Sequence, residues 1–119
     1  MRGIRGAITV EDNTQAKIYL AVKLMVVEMT RMNHITPEDI GAAIFSATED
    51  LNAAFPAAGA RAVPGFENVP LFDTRQMDVE SGLPKCIRAL FLVNKDIPQS
   101  EIHHVYLGGA IHLRPDLRI

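Results

Sequence analysis

The longest regular pattern in the chain is an apolar repeat between Gln15 and Met32. Its apolar residues recur at spacings of three and four, and they are Ile18, Ala21, Val22, Met25, Val26 and Met29. That spacing is typical of the buried face of an α-helix. Asn13 or Thr14 can cap the start, and Asn33 suits a left-handed residue that ends the helix. The pattern therefore predicts one long helix over residues 15–32.

Shorter apolar stretches on both sides of this helix predict β-strands. The predicted strands cover residues 2–10, 41–48, 68–72, 86–94, 103–107 and 110–114. Short helical turns are predicted at 36–39 and 98–101, and Pro56 divides the alanine-rich stretch 49–62 into two short helical pieces. One long helix beside several strands predicts an α+β fold with a mixed sheet packed on that helix. No repeat or linker interrupts the pattern, so residues 1–119 are expected to form a single domain.

Composition narrows the classes of partner. The 119 residues are 48% hydrophobic, which is a large apolar content for so small a domain and favours an oligomer. The longest apolar run is far shorter than a membrane span. Net charge is -2 and no Lys/Arg cluster occurs, which disfavours nucleic acid and anionic membranes as partners.

The first ten residues and the single cysteine bear on the compartment. The opening MRGIRGAITV has arginines and glycines in place of a continuous apolar region, so a signal peptide is not predicted. Cys86 is the only cysteine, which excludes an intrachain disulfide and favours a reducing cytoplasm.

Three arginines lie within predicted strands. Arg5 lies in the first strand, Arg88 lies in the very apolar CIRALFLV, and Arg114 ends the last strand. Burial of an unpaired guanidinium costs several kcal/mol, so each needs an anionic partner. An internal salt bridge or a position at a sheet edge is the ordinary explanation for any one of them. Three in one small domain favour a bound polyanion with carboxylate or phosphate groups.

The segment VPLFDTRQM begins as a strand and ends with four polar side chains, Asp73 to Gln76. They belong either to a solvated turn or to a site. The adjacent His103 and His104 point to opposite faces of a strand, so no metal site is predicted. Cys86 shares a strand face with Arg88, which could lower its pKa, but packing is the favoured role. No cofactor is expected.

Several segments together resemble the small chorismate mutases of the AroH class. They are RGIRGAITVE, SATEDLNAAFPA, LPKCIRALFLVN, HHVYL and LRPDL, and they occur in order from Arg2 to Leu117. The resemblance implies a trimeric α/β pseudo-barrel with three active sites at the clefts between subunits. It also implies rearrangement of chorismate to prephenate, in phenylalanine and tyrosine biosynthesis. This [3,3] shift needs no nucleophile or base, so catalysis depends on holding one conformer and stabilising developing charge.

The resemblance also assigns residues by position. Arg88 matches the cation that binds the ether oxygen and a carboxylate. Arg5 and Tyr106 match residues that bind a substrate carboxylate, and Leu113 and Arg114 match C-terminal residues near the site. The remaining matches lie in the wall and the strand end of the cleft, and they are Phe55, Ala57, Leu71, Phe72 and Asp73.

The chain departs from the family pattern at two neighbouring positions. Gln76 stands where the family usually has the glutamate that accepts the substrate's hydroxyl hydrogen bond, and Asp73 stands where a small neutral residue is usual. Asp73 can supply the missing carboxylate, provided that the chain bends between residues 73 and 76. Alternatively, Gln76 accepts the bond through its amide oxygen. A third reading is that the loss of the glutamate marks a weakened or repurposed enzyme.

Two other functions compete with a mutase. A Rid-type trimer has a similar pseudo-barrel, holds a carboxylate with a strand arginine and deaminates reactive imines. A non-catalytic trimer could instead bind an aromatic metabolite. The segments around Tyr106 and Arg114 favour the mutase over both.

Overall fold

The computed structural model describes residues 1–112, which form a five-stranded sheet, one long helix and one short helix. In chain order the elements are β1 (Arg2–Thr9), α1 (Gln15–Met32), β2 (Ile40–Ala47), α2 (Pro56–Arg61), β3 (Leu71–Arg75), β4 (Cys86–Val93) and β5 (Val105–Leu107). Short 3-10 helices span Pro37–Asp39, Phe66–Asn68, Gln99–Glu101 and Gly108–His112.

The sheet is mixed, with the order β3-β2-β4-β1-β5. Strand β4 pairs antiparallel with β1 and with β2 at the centre. Strands β3 and β5 add in parallel to β2 and β1, so they form the two edges. This arrangement confirms the predicted α+β fold with a mixed sheet and one long helix.

One face of the sheet packs on α1 and forms the core. Its aromatic centre is Phe91 of β4, which meets Phe45 of β2 with ring centroids 6.4 Å apart and Phe66 at 6.2 Å. Gly6 of β1 lets the helix approach closely, because a Cβ at that position would lie 2.4 Å from Sδ of Met29. Alternate residues of β1 and β4 face this apolar interior, and they include Ile4, Ile8, Ile87, Ala89, Phe91 and Val93.

Helix α1 has the predicted bounds, and its ends are held by side chains. Oγ1 of Thr14 accepts a hydrogen bond from the backbone N–H of Lys17 at 3.2 Å. The left-handed residue is His34, with φ 51°, and not Asn33, whose φ is -105°. The amide of Asn33 instead donates to Met29 O and His103 O, and it accepts the N–H of His103. Asn33 thus ties the end of α1 to the segment before β5.

Four predicted elements differ from the observed ones by more than one residue, and the last of them, the strand 110–114, is described below. Residues 49–55 are not helical, because Pro56 begins α2 and does not divide a longer helix. The predicted strand 68–72 is displaced to 71–75, since residues 66–68 form a 3-10 turn. The predicted strand 103–107 shortens to 105–107.

The last predicted strand, 110–114, is wrong where the structure describes it. Residues 108–112 form a 3-10 helix that begins at Gly108, whose φ is 58°. A Cβ on Gly108 would lie 2.6 Å from Oγ1 of Thr9, so the chain turns where only glycine fits.

Within residues 1–112, no helix is long and apolar enough to cross a membrane.

Candidate active site

The face of the sheet opposite α1, called here the open face, carries a row of residues that includes Arg88 and Tyr106. One row crosses all five strands, and it consists of Tyr106, Ala7, Arg88, Ser46 and Thr74. These residues are register partners, and partners in neighbouring strands share a face. The sheet thus places Tyr106 and Arg88 in the same row, with only β1 between their strands, although they are distant in sequence.

Arg5 lies in the next row of the open face. It pairs with Leu90, two residues from Arg88 in β4. Arg5 and Arg88 line a shallow cavity of about 270 Å³ together with Ser46 and Thr74. Among residues 1–112, the ion pairs are Lys17 with Glu11 and Arg31 with Glu28. Neither strand arginine is therefore explained by a salt bridge within the part of the chain that the structure describes.

Three buried side-chain atoms of residues 1–112 have no hydrogen-bond partner there. They are Nε of Arg88, the phenol oxygen of Tyr106 and Oε1 of Gln76. Buried polar groups are normally hydrogen-bonded, so such atoms call for an explanation. All three belong to residues predicted for the site, and two of them, Arg88 and Tyr106, lie in the polar row with only Ala7 of β1 between them. This coincidence is the strongest structural sign of a ligand site on the open face.

Gln76 follows directly after β3 and extends its pairing. Its backbone N–H donates to Ala47 O at 3.0 Å, which continues the parallel ladder with β2. Alternation from Thr74 therefore places Gln76 on the open face. Its amide lines a cavity of about 260 Å³ beside Thr48 and Leu83. Gln76 thus shares a face with Arg88.

Asp73 lies on the other face of β3. Its register partner is Phe45 of the core face, and its Oδ1 accepts the backbone N–H of Ala57 at 2.9 Å. Burial raises the pKa of the Asp73 carboxyl, partly offset by that hydrogen bond and by the charge of Arg61. The strand is regular through Arg75, without the bend that would bring residues 73 and 76 together. The catalytic role predicted for Asp73 stays a prediction.

A larger cavity, of about 620 Å³, lies on the Asp73 side of β3. Phe55 and Asp73 line it together with Tyr19 of α1, and the Phe55 side chain is 72% exposed. Ala57 is buried in the first turn of α2.

The predicted site residues therefore fall into two groups. Arg5, Arg88, Tyr106 and Gln76 on the open face form the arginine half-site. Phe55, Ala57, Leu71 and Asp73 on the other side of β3 form the aromatic half-site. Phe72, 65% exposed, is on the open face at the β3 edge. Leu113 and Arg114 lie outside the described residues, so their place near the site stays a prediction.

Cys86 is a packed thiol. It is fully buried beside Ala7, Ala110 and Tyr106. Burial raises its pKa, and the neighbouring Arg88 offsets this only in part. The structure therefore supports a packing role for Cys86. It does not support the alternative that Arg88, on the same face, lowers the pKa of the thiol below its ordinary value.

Two residues, Ser46 and Asp50, were not identified from the sequence. Ser46 pairs with Arg88 and lines the cavity beside both strand arginines. Its partner Thr74 also lines that cavity and belongs to the polar segment 73–76 that the sequence had indicated. The carboxylate of Asp50 accepts the backbone N–H of Lys85 at 3.0 Å and holds it at φ 48°, immediately before β4. Only the folded chain shows that contact, since the two residues are far apart in sequence.

Comparison with known proteins assigns this arrangement to a family. Residues 1–117 match the family described as chorismate mutase type I. Chorismate mutase AroH of Bacillus subtilis is 44% identical over 119 residues, covering 100% of this chain and 94% of that protein. Chorismate mutase AroH of Thermus thermophilus is 48% identical over 118 residues, covering 98% and 96%.

A solved structure shares the fold as well as the sequence. The chorismate mutase from Clostridium thermocellum superposes with a TM-score of 0.89 at 42% identity, covering 92% of this chain and 97% of that one. The family match, the sequence identity to the relatives and the shared fold all extend over nearly the whole chain. The chain belongs to the chorismate mutase type I family.

Proposed function

We propose that this chain rearranges chorismate to prephenate, a step in phenylalanine and tyrosine biosynthesis. The family match and two full-length relatives named chorismate mutase support the proposal. The structural observation that carries it is the pair of buried, unpartnered donors, Nε of Arg88 and the Tyr106 hydroxyl, in one row of the open face. A dicarboxylate with an ether oxygen that gains negative charge would satisfy both.

The reaction is unimolecular, so the proposed site binds and polarises without exchanging protons. Arg88 donates to the ether oxygen as the C–O bond breaks, and Arg5 and Tyr106 hold a carboxylate. Donors fixed in advance cost no reorganisation when charge develops, which is how such sites accelerate reactions. The predicted contribution of Leu113 and Arg114 is to complete the site from the C-terminal segment.

Gln76 is the proposed acceptor for the substrate hydroxyl. Its Oε1 is buried without a partner in residues 1–112, and alternation places it on the face of Arg88. A neutral amide oxygen accepts a hydrogen bond as a carboxylate does, but it adds no negative charge beside the arginines. The enzyme would therefore work without the charge balance that a glutamate gives.

A homotrimer with sites between subunits is the proposed assembly. The arginine and aromatic half-sites lie on opposite sides of β3. One chain cannot close both around a single small ligand, but a neighbouring copy can supply the missing wall. The exposed Phe55, Phe72 and Met77 lie at or near this edge and would be covered by such contacts. The proposed compartment is the cytoplasm, in keeping with a buried free thiol at Cys86.

Turnover of chorismate tests the activity. The purified protein is incubated with chorismate, and loss of its ultraviolet absorbance is followed together with the appearance of prephenate. Stoichiometric conversion supports the mutase. Saturable binding without conversion would instead indicate a metabolite-binding trimer, and neither binding nor conversion would reopen the Rid-type reading, which the family match does not favour.

Mixed trimers test the shared site. Arg88→Ala damages the arginine half-site, and Phe55→Ala damages the aromatic half-site. If each site draws on two subunits, subunit exchange between the two weak variants restores some intact sites and activity rises above the sum of the parents. No gain after verified exchange would place both halves in one subunit. Light scattering gives the subunit number independently.

A further inference from the structure

The start of α2 lacks a cap of its own. Its N-cap residue is Phe55, whose side chain has no hydrogen-bonding group, and its first residue is Pro56, which has no N–H. Ala57 therefore carries the first free backbone donor of the helix. A missing cap leaves such donors unsatisfied and weakens the first turn.

Asp73 supplies that cap from the edge strand. Its Oδ1 accepts the N–H of Ala57 at 2.9 Å, across 16 positions of sequence. The bond ties β3 to the residue two positions after Phe55. It is a side-chain hydrogen bond that joins β3 to the start of α2, beside the backbone bond from the Ala58 N–H to Phe55 O within that turn. The side chain of Phe55 is otherwise largely exposed.

We propose that Asp73 is a positioning residue, which holds Phe55 and Ala57 in place for substrate through its hydrogen bond to the start of α2. The inference rests on the proposed function, because it assumes that these residues wall the substrate cleft. It gives the aspartate a role that does not require the carboxylate to reach the substrate hydroxyl. What the role requires is an acceptor oxygen, and an amide has one.

The test compares Asp73→Asn with Asp73→Ala. Asparagine keeps an acceptor oxygen in the same position, so its KM for chorismate should stay within about twofold of the wild type. Alanine removes the acceptor, so KM should rise by about 3- to 30-fold, the range expected for loss of one capping bond. The rate constant kcat should change less than KM, because the arginine half-site is untouched.

Asp39→Ala is the matched control. Oδ2 of Asp39 accepts the N–H of Thr36 at 2.9 Å, so this change also removes a capping aspartate, but one that precedes β2, at the opposite end of that strand from Ser46. Its KM should equal that of the wild type even if the protein is less stable. A rise in KM for Asp39→Ala equal to that for Asp73→Ala would overturn the positioning role.

Amide hydrogen exchange at Ala57 gives a readout that does not depend on turnover. Protection at Ala57 should be lost in Asp73→Ala and retained in Asp73→Asn. Equal damage to kcat/KM in both variants, with protection retained in the asparagine variant, would overturn the inference and assign the carboxylate charge to catalysis. A wild type that does not convert chorismate would refute the proposed function, while the exchange pattern would still decide whether Asp73 caps α2.

Discussion

The two faces of the sheet are built from the same strands, but one forms the core and the other carries the proposed site. In β4, Ile87, Ala89, Phe91 and Val93 face α1 and are buried. The residues between them face the other way and include Arg88, whose Nε has no partner in residues 1–112. The core face gains its stability from apolar area removed from water. The open face leaves polar groups without hydrogen-bond partners. A substitution there should therefore change substrate binding and turnover more than the free energy of unfolding.

The largest effect is expected on the core face. Phe91→Ala removes a ring that packs against Phe45 and Phe66. The free energy of unfolding should fall by about 3–5 kcal/mol, because the variant loses the transfer free energy of the buried ring and leaves a cavity in the core. Denaturant titration at fixed protein concentration measures the loss. If the protein that remains folded also lost its turnover, the two faces would not be separable.

The opposite pattern is expected for Arg88→Ala on the open face. Loss of a donor aimed at developing charge should lower kcat/KM by about 100- to 1000-fold. The unfolding free energy should hardly change, because no described ion pair is broken. Arg31→Ala, which removes an exposed helix arginine paired with Glu28, is the control and should leave turnover intact. Near-normal turnover of the Arg88 variant would refute the proposed site.

A smaller effect on the same face is expected for Gln76→Ala. A neutral hydrogen bond is worth about 0.5–1.5 kcal/mol, so the rate should fall by about 3- to 10-fold. Gln99→Ala, in the exposed 3-10 turn at 99–101, is the matched control and should be silent. Steady-state kinetics on chorismate measures both. An unchanged rate for the Gln76 variant would leave the substrate hydroxyl to another group.

The smallest effect concerns pH and the carboxyl of Asp73. Burial raises its folded pKa above the ordinary 3.8, so the native state binds its proton more tightly than the unfolded chain. Wild-type stability should therefore fall, relative to Asp73→Asn, as pH rises from below 3.8 through the raised folded pKa. Unfolding titrations of both proteins across this range measure the difference. Parallel curves would contradict the raised pKa.

The core face was predictable, because its pattern is local. Six apolar residues at helical spacing determined the bounds of α1, and all six are buried. The alternation in CIRALFLV likewise located β4 and placed Arg88 on one face. Such patterns depend on which side of an element meets the core, and that information repeats along the sequence.

The edges of the fold were harder to predict. In β3 the polar Asp73, Thr74 and Arg75 resembled a turn, because an edge strand needs few apolar residues. The 3-10 helix at 108–112 depends on the close approach of Gly108 to Thr9, a contact between distant residues. The residues of the site were also harder to predict than the core. Residue types indicated arginines that need an anion, and the resemblance supplied the substrate. Alternation predicted opposite faces for Gln76 and Asp73 in a regular strand, and the fold adds that β3 is regular through Arg75.

The pairing register of β4 has a consequence for folding. A slip of one residue against β1 would turn Arg88 toward Met25 and Met29 of α1 and expose Phe91 to solvent. A charged residue in the middle of an apolar strand thus disfavours every such misalignment. Asp50 reinforces this choice by binding the N–H of Lys85 one residue before the strand begins. The arginine that we propose for catalysis would also select one alignment of the sheet as the chain folds.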